Sequence, residues 1–372
     1  MGRILLSTPG GVGVGNARRM GYDQPVADPL DMYQLTAHAD WVDIESTWIG
    51  VAAVRANTDL WANDWYNMSA YGGLVYGQNF TGDYYNIRYV STGFKKVFGN
   101  TTSDGVWALT TSNELRYTGI WYGGCGLAET PYLATGDYVY DLDPLAGTWS
   151  DLLSISGAPN QYENAFNRAS GVLTAGNNYD GMLWDDNDAL SIDVPAPFSP
   201  TADYLGNPAY TAKLVESDGW DRGVMLTSTN EIRYFALEFI DSAYHMVSYH
   251  RANDAVALAA GPNGADDLLY LKTDGSLWHV TIIDGDAPDF VHAGPFASMH
   301  IDKNWGCLTL VDTLGKVHFL DAYGGTWYHD VFPGVVAAKA ISSYGVVALL
   351  EADAPPLVPD FWQDFNAATE VA

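Results

Sequence analysis

The chain repeats one short motif, an apolar strand followed by a polar turn and a second strand. The clearest copies begin at Trp41, Phe94, Tyr210, Val256 and Phe296. In each copy, an apolar residue at the end of the first strand lies six residues before an apolar residue at the start of the second. These pairs are Val54 and Leu60, Leu109 and Leu115, Leu226 and Ile232, Leu271 and Leu277, and Val311 and Val317. Such a repeat predicts a fold built from copies of one small sheet.

Two further copies are less regular. One keeps the same six-residue step between Phe166 and Val172, and the other begins at Val335 but is incomplete. The second strands of the six complete copies follow each other at intervals of 40 to 60 residues, which fits one four-stranded sheet per copy. The last copy lacks its next strand, because Asp353 leads into two prolines that a central strand does not tolerate.

The missing strand is expected at the other end of the chain. The segment GRILLS, residues 2–7, has the turn glycine, polar residue and apolar strand that also occur at Gly275 and Gly315. Arg3–Ser7 is therefore expected to pair with the strand in Tyr344–Asp353, which removes an exposed edge. The sequence thus predicts an all-β, seven-bladed β-propeller whose last blade is closed by the N-terminal strand. A solenoid would not need a half-repeat at each end.

This interpretation divides the chain into four segments. Residues 1–8 are the closing strand of the last blade, and 9–40 are an extended arm that contains glycines and prolines. Residues 41–353 are the propeller blades, and 354–372 are an aromatic C-terminal tail. The run Gly11–Gly15 in the arm is interpreted as a linker, because Pro25 and Pro29 stand where a dinucleotide-binding unit needs its helix and next strand.

Two stretches carry a family resemblance. One is LLYLKTDGSLWHVT, and the other is GLVYGQNFTGDY, which contains Tyr76, Gly77, Asn79 and Gly82 in a Gly-x-Asn-x-x-Gly pattern. Both resemble repeats of the regulator-of-chromosome-condensation family, whose members are seven-bladed β-propellers. The Gly-Gln-Leu-Gly signature of that family is absent from the sequence. The resemblance covers most of Trp41–Asp353 and implies the fold, whereas the nucleotide-exchange activity of the family needs a partner surface that no residue pattern marks.

The chain is strongly acidic, since its 17 Lys and Arg face 45 Asp and Glu and the formal net charge is −28. No stretch is basic enough to neutralise phosphates or anionic lipids, which argues against a nucleic-acid partner and a polybasic membrane anchor. No apolar run is long enough to span a bilayer, so membrane insertion is not expected. The apolar core Ile4–Leu6 is too short for a signal peptide, so we expect synthesis in the host cytoplasm.

No nucleophile motif marks an active site, so we expect neither an enzyme nor a cofactor. Aspartate-rich turns are the candidates for a metal site, because calcium binds hard oxygen ligands at alternate positions of a loop. Ordinary solvated turns are the alternative interpretation. The candidate ligands are Asp185, Asp186, Asp188, Asp284 and Asp286.

Aromatic residues mark candidate partner surfaces, because Trp and Tyr supply a large contact area at a small entropic cost. The chain has 13 Trp and 24 Tyr, several of them clustered outside the strand motifs. The tail either straps across the protein itself or docks on a partner. The candidate partner-binding residues are Trp65, Tyr66, Trp121 and Tyr122 in loops, and Phe361, Trp362 and Phe365 in the tail.

These features favour a structural or attachment component of a virus particle, such as the tail, fibre or decoration protein of a tailed virus. Such a protein is located in the virion and binds other virion proteins, copies of itself or a cell-surface glycan. The grounds are an all-β composition rich in Gly, Tyr, Trp and Asn, few lysines, and two arms suited to docking. Two alternatives stay open: a carbohydrate-binding lectin or adhesin, and a propeller enzyme that uses its central channel.

Overall fold

A computed structural model describes residues 2–7, 32–34, 40–46, 51–62, 88–99, 106–118, 145, 147–158, 163–178, 181–217, 223–260, 267–281, 286–302, 307–321, 326–331, 335–341 and 345–351. Within these residues the chain is all-β and contains no helix. It follows that no described helix is long and apolar enough to cross a membrane.

The strands follow each other along the whole chain. In order they are β1 (Gly2–Ser7), β2 (Met32–Gln34), β3 (Trp41–Ser46), β4 (Val51–Arg55), β5 (Leu60–Ala62), β6 (Arg88–Ser91), β7 (Phe94–Gly99), β8 (Val106–Thr110), β9 (Leu115–Thr118), β10 (Leu152–Ala158), β11 (Glu163–Arg168), β12 (Gly171–Asn177), β13 (Ser191–Pro197), β14 (Ala212–Ser217), β15 (Gly223–Thr227), β16 (Ile232–Ile240), β17 (Ala243–Ala252), β18 (Ala255–Ala260), β19 (Asp267–Lys272), β20 (Leu277–Thr281), β21 (Asp289–His292), β22 (Phe296–Asp302), β23 (Cys307–Asp312), β24 (Lys316–Asp321), β25 (Thr326–Val331), β26 (Val335–Ile341) and β27 (Gly345–Glu351).

The chain divides into two compact units. The first consists of Met1–Ile120, Thr130–Pro144 and Phe296–Ala372, and the second of Trp121–Glu129 and Leu145–Pro295. In the first unit, β22–β25 form a four-stranded sheet, β7–β9 a three-stranded sheet, and β26-β27-β1-β3-β4-β5-β6 an eight-stranded sheet in which β2 pairs with β1. In the second unit, β10–β13, β14–β17 and β18–β21 each form a four-stranded sheet.

The eight-stranded sheet consists of two groups of strands that one residue pair joins. The register between β1 and β3 contains only the pair Gly2 and Trp41. The groups on either side of this pair are β26-β27-β1-β2 and β3-β4-β5-β6. The described strands therefore form seven antiparallel groups, which agrees with the seven units predicted from the repeat.

The N-terminal strand completes the last group, as the sequence predicted. All six residues of β1 pair antiparallel with β27, from Gly2 opposite Glu351 to Ser7 opposite Val346. The short strand β2 then pairs with the other edge of β1, over Leu5 to Ser7. Residues 32–34 and 40 are the described part of the predicted arm; residues 9–31, 35–39 and the tail 354–372 lie outside the described residues.

All seven groups share one irregularity in their first strand. In each of β3, β7, β10, β14, β18, β22 and β26, the pairing with the next strand shifts by one residue between the first and third positions. The residue at the second position is therefore an extra, bulged residue, and it is exposed in every group. Because the device recurs at the same place, the groups are copies of one structural unit. The bulged residues are Val42, Lys95, Leu153, Lys213, Val256, Ala297 and Val336.

The six-residue step of the sequence corresponds to a tight turn between the second and third strands of a group. The five clear pairs lie opposite each other in the sheets, for example Leu226 and Ile232. Each of these turns has a residue with positive φ two positions before the third strand's apolar residue, such as Asn230 at 66° and Gly275 at 79°. The less regular copy differs, because Phe166 pairs with Leu173 across a shorter turn.

Candidate functional site

A group of polar side chains joins several first strands of the first unit. Asp43, Glu45 and Ser46 come from β3, His300 from β22 and Lys339 from β26. We call these five residues the first-strand cluster. The strands β22, β26, β3 and β7 are in contact with each other in that order. Residues far apart in sequence thus meet, as 254 positions separate Ser46 from His300.

Glu45 is the centre of the first-strand cluster. Its Oε2 accepts a hydrogen bond from Lys339 Nζ at 2.9 Å, and its Oε1 lies 3.5 Å from His300 Nε2. Burial disfavours the charge of Glu45, but the attraction of Lys339 and the hydrogen bond with His300 outweigh it and lower the pKa from 4.5 to about 2. Glu45 is therefore ionised at neutral pH and is held in an ion pair.

The geometry of His300 bears on catalysis. Ser46 Oγ lies 3.2 Å from His300 Nε2, which is the distance expected for a serine and its general base. However, His300 Nδ1 accepts a hydrogen bond from the Ala340 backbone N–H at 3.1 Å. The neutral ring must then carry its proton on Nε2, so this nitrogen donates to its neighbours and does not accept the proton of Ser46. The pair does not have the arrangement of a nucleophilic serine site.

Asp43 connects β3 to β7, the first strand of the next group. Its Oδ2 accepts a hydrogen bond from the Val97 backbone N–H of β7 at 2.8 Å. Burial is the main reason why the pKa of Asp43 is raised from 3.8 to about 6; the Val97 hydrogen bond opposes this and the Glu45 charge adds to it. Space is tight here as well, because a Cβ on Gly99 would overlap the Ser46 carbonyl and the Glu45 side chain.

The second unit uses the same principle with other side chains. The amide of Asn167 on β11 bonds to both backbone groups of Val215 on β14, accepting from its N–H at 2.8 Å and donating to its carbonyl at 3.1 Å. Ser156 on β10 donates to Glu216 on β14 at 2.8 Å. In both units, polar side chains of one group thus satisfy groups on the first strand of the next. We interpret the first-strand cluster as such a connection.

The hairpin of β16 and β17 differs from the other strand pairs by its length. Its strands have nine and ten residues, and from Arg233 opposite His250 they pair without interruption up to Ile240 opposite Ala243. The two turn residues, Asp241 and Ser242, have φ of 49° and 70°. Two consecutive positive φ values define the type I′ turn, whose twist matches that of the strands it joins. The end of this hairpin is thus a regular structure.

Aromatic side chains are exposed at the end of this hairpin. Phe239 and Tyr244 lie opposite each other in the register and are 67% and 39% exposed. Their rings contact each other edge to face, with centroids 5.2 Å apart. Tyr204 and Leu205, from the segment before β14, are 46% and 49% exposed. We call Tyr204, Leu205, Phe239 and Tyr244 the hairpin surface.

Tyr204 covers the opposite face of the hairpin. Its ring stacks on His245 with centroids 4.3 Å apart, and its hydroxyl donates to Asp241 Oδ2 at 2.8 Å. Its backbone N–H donates to the Met246 carbonyl at 3.0 Å. Because His245 neighbours Tyr244 in an extended strand, their side chains point to opposite faces. The hairpin surface therefore presents aromatic rings on both faces of one rigid element.

Two sets of contacts fix this element to its unit. The carboxylate of Asp203, next to Tyr204, is buried and accepts hydrogen bonds from Ser248 Oγ at 2.6 Å and Asn207 Nδ2 at 2.9 Å. Below the exposed end, Phe235 packs against Trp184 and Phe198, with ring centroids 5.4 and 5.5 Å away. The hairpin surface thus continues a buried aromatic cluster outwards.

The calcium candidates lie partly beside this surface. Asp185 and Asp186 accept backbone N–H hydrogen bonds of 2.9 and 2.7 Å. Asp188 is half-buried and Asp286 is exposed, whereas Asp284 lies outside the described residues. In the part of the chain that the structure describes, no group of three or more His, Cys, Asp or Glu is placed to hold a metal ion. Calcium at these turns stays a prediction.

All the aromatic residues that the sequence singled out for partner binding lie outside the described residues. These are Trp65, Tyr66, Trp121, Tyr122, Phe361, Trp362 and Phe365. The sequence-based reasoning missed the hairpin surface, although the segment LEFIDSAYH, residues 237–245, has two strand-like runs around a two-residue turn. This pattern predicts the hairpin, but the exposure of its rings depends on what packs against them.

Comparison with solved structures identifies the fold. Prp20p from Saccharomyces cerevisiae, studied with Gsp1p and histones, matches with a TM-score of 0.60 at 12% identity, over 97% of this chain and 93% of Prp20p. Human WBSCR16 matches with a TM-score of 0.61 at 12% identity, over 94% of this chain and 99% of the other. Yeast RCC1 (Prp20), in its structure with Kap60, matches with a TM-score of 0.60 at 14% identity, over 97% and 90%. No family model matches the sequence, and no curated protein matches it.

These likenesses confirm the predicted fold class and the resemblance to the regulator-of-chromosome-condensation repeats. The chain has the all-β propeller fold of these RCC1-type structures. The prediction of a structural or attachment component of a virus particle is wrong, because the three solved structures named above are cellular proteins of yeast and human and not virion components. The virion as its location is wrong for the same reason. The composition on which both rested reflects an all-β, turn-rich fold, and that fold is shared by proteins of cells.

Proposed function

We propose that this chain is a non-catalytic, protein-binding propeller that docks a protein partner through the hairpin surface. The observation that carries the proposal is the exposure of Phe239 and Tyr244 at the end of a hairpin whose turn and base are both fixed. Aromatic residues are enriched where proteins bind each other, because each ring removes a large apolar area from water on binding. A rigid element loses little conformational entropy when it binds.

The relatives of the same fold support this class of function. The yeast protein Prp20 is described by its protein partners, which are Gsp1p and histones in one structure and Kap60 in the other. The chemistry of the first-strand cluster supports the non-catalytic part, since His300 Nδ1 is occupied by the Ala340 N–H. Neither virion proteins nor glycans are partners of these relatives in their descriptions.

The test compares the proteins captured by three tagged forms of the chain from cells that produce it. One form is the natural sequence, the second carries Phe239→Ala and Tyr244→Ala, and the third carries Phe290→Ala. Phe290 is a matched control, because it is 57% exposed in the same unit and contacts Trp278 edge to face at 5.5 Å, as Phe239 contacts Tyr244. We expect the hairpin variant to capture roughly tenfold less of a partner, which is the scale of interface hot spots. The control is expected to capture as much of it as the natural chain does.

Thermal unfolding of the three forms separates docking from folding. Phe239 is largely exposed and Tyr244 is partly exposed, so their replacement is expected to change the melting temperature little. If the hairpin variant melts like the natural chain and still captures the same proteins in the same amounts, the hairpin surface is not a docking site.

A further inference from the structure

The charge around the hairpin surface is of one sign. Residues 181–212 and 234–250, which build the surface and its supports, contain seven carboxylates and no Lys or Arg. These carboxylates are Asp185, Asp186, Asp188, Asp193, Asp203, Glu238 and Asp241. The hairpin strands also carry Arg233 and Arg251, but both lie at the end away from the turn, where Arg233 stacks on Tyr210 and Arg251 on Tyr234 and Tyr249. The end of the hairpin that carries the exposed rings is therefore predominantly negative.

Several of these carboxylates are placed to meet a partner. Asp241 is exposed in the turn itself, where it also accepts the hydrogen bond from Tyr204. The side chain of Asp186 is 62% exposed, and its carboxylate lies 3.8 Å from His245 Nδ1. The His245 ring is the one on which Tyr204 stacks. Asp185, next to Asp186, is exposed as well. Exposed carboxylates of two segments therefore lie next to the exposed rings at the end of the hairpin.

Resting on the proposed docking function, we infer that the partner of the hairpin surface presents a segment rich in lysine and arginine. A lysine or arginine head group above an aromatic ring is attracted by its π-electrons, and the same cation pairs with a neighbouring carboxylate. The aliphatic stems of these side chains cover the exposed rings and remove apolar area from water. Few other side chains satisfy both parts of the surface at once.

The chain's total charge points to the same partner chemistry. With a formal net charge of −28, it repels acidic proteins at long range, and it also repels a second copy of itself. A basic segment is attracted to it and is held most strongly where carboxylates and rings meet. A neutral apolar segment would bind the rings alone, and the test includes it.

The experiment measures binding of three short fluorescein-labelled peptides to the full chain by fluorescence anisotropy. In the first peptide lysine and arginine alternate with alanine, in the second aspartate and glutamate replace the cations, and in the third serine and leucine replace them. We expect the basic peptide to bind, with an affinity that falls as salt is added, and the acidic and neutral peptides to bind far more weakly.

Two variants of equal charge locate the site. The first carries Asp185→Asn, Asp186→Asn and Asp241→Asn, in which the amide oxygen still accepts the present hydrogen bonds. The matched control carries Asp254→Asn, Asp286→Asn and Asp289→Asn, three exposed carboxylates elsewhere in the same unit. We expect the first variant to bind the basic peptide roughly threefold or more weakly than the control, because each lost surface ion pair has a small effect and the three add.

The outcomes separate this inference from the proposed function. Equal weakening in both variants would mean that the peptide is held by the overall charge, and equal binding of the neutral peptide would mean that the carboxylates do not select the partner. Either result overturns the inference. The docking function itself fails only if Phe239→Ala with Tyr244→Ala leaves the captured proteins unchanged.

Discussion

Asp43 and Glu45 show how strongly a carboxyl group depends on its neighbours. They lie two residues apart on β3, yet the pKa of Asp43 is raised to about 6 and that of Glu45 is lowered to about 2. Burial acts on both, but Glu45 has the Lys339 ammonium at 2.9 Å, whereas Asp43 accepts a hydrogen bond from the neutral Val97 N–H. Asp43 is therefore a carboxyl group whose ionisation the fold does not favour.

This leads to a prediction for Asp43→Asn. The folded protein binds the Asp43 proton more tightly than the unfolded chain, so this group's stabilising effect is complete below pH 3.8 and is lost as the pH rises through about 6. An asparagine keeps an oxygen for the Val97 N–H and carries no charge. At pH 7.5 we expect the variant to have a free energy of unfolding higher by about 3 kcal/mol, and near pH 4 to match the natural chain closely.

Urea denaturation of both proteins at the two pH values measures this difference. Glu45→Gln is the companion variant, because the folded state lowers the pKa of Glu45. The ionised Glu45 therefore stabilises the fold above pH 4.5, and this stabilisation disappears as the pH falls towards 2. This variant should lower the stability at pH 7.5. An Asp43→Asn variant that is less stable than the natural chain at pH 7.5 would contradict the burial argument.

At the scale of elements, the strand that closes the last group was predictable and the cluster between groups was not. Residues 2–7 repeat the local turn-and-strand pattern of Gly275 and Gly315, and local chemistry is what a single sequence records. The contacts of Glu45 with His300 and Lys339 join positions about 250 and 290 residues apart, and no local pattern connects them. The sequence also misjudged one turn: the six-residue step paired Phe166 with Val172, whereas in the structure Phe166 pairs with Leu173 across a shorter turn.

Removal of residues 1–8 tests the role of β1. The strand pairs along its whole length with β27 and also with β2, so its loss leaves both edges unpaired. We expect the melting temperature to fall by several degrees and the unfolding to become less cooperative, as measured by circular dichroism. A synthetic peptide with the sequence GRILLS, added in excess, is expected to raise the melting temperature of the truncated chain. An unchanged melting temperature after truncation would show that β1 does not hold the last group together.

At the scale of the whole molecule, the net charge of −28 is the property that sequence composition gives most directly. It argues against polyanionic partners, but it does not identify the function. The prediction of a virus-particle protein relied largely on composition, and composition indicates a fold class and not the function that the fold carries. The residues that form the hairpin surface are known only once packing shows which rings stay exposed.

The charge also predicts how the stability depends on salt. The 45 acidic residues outnumber the 17 basic ones, so negative charges repel each other in the folded state. Dissolved ions screen this repulsion. Sodium chloride is therefore expected to raise the melting temperature at pH 7.5. The control is the same titration near the sequence pI of about 4.2, where the net charge vanishes and salt should have little effect. A salt response of the same size at both pH values would point to a cause other than charge repulsion.

The pairing of β1 with β27 has a mechanical consequence. Gly2 and Glu351 face each other at the same end of the strand pair. A force that pulls position 2 away from position 351 therefore loads one residue pair at a time, and the two strands separate like a zipper. Had the two attachment points lain at opposite ends of the pair, all the hydrogen bonds would have shared the load in shear. Stretched between these two positions, the protein is expected to yield first at the strand that completes its fold.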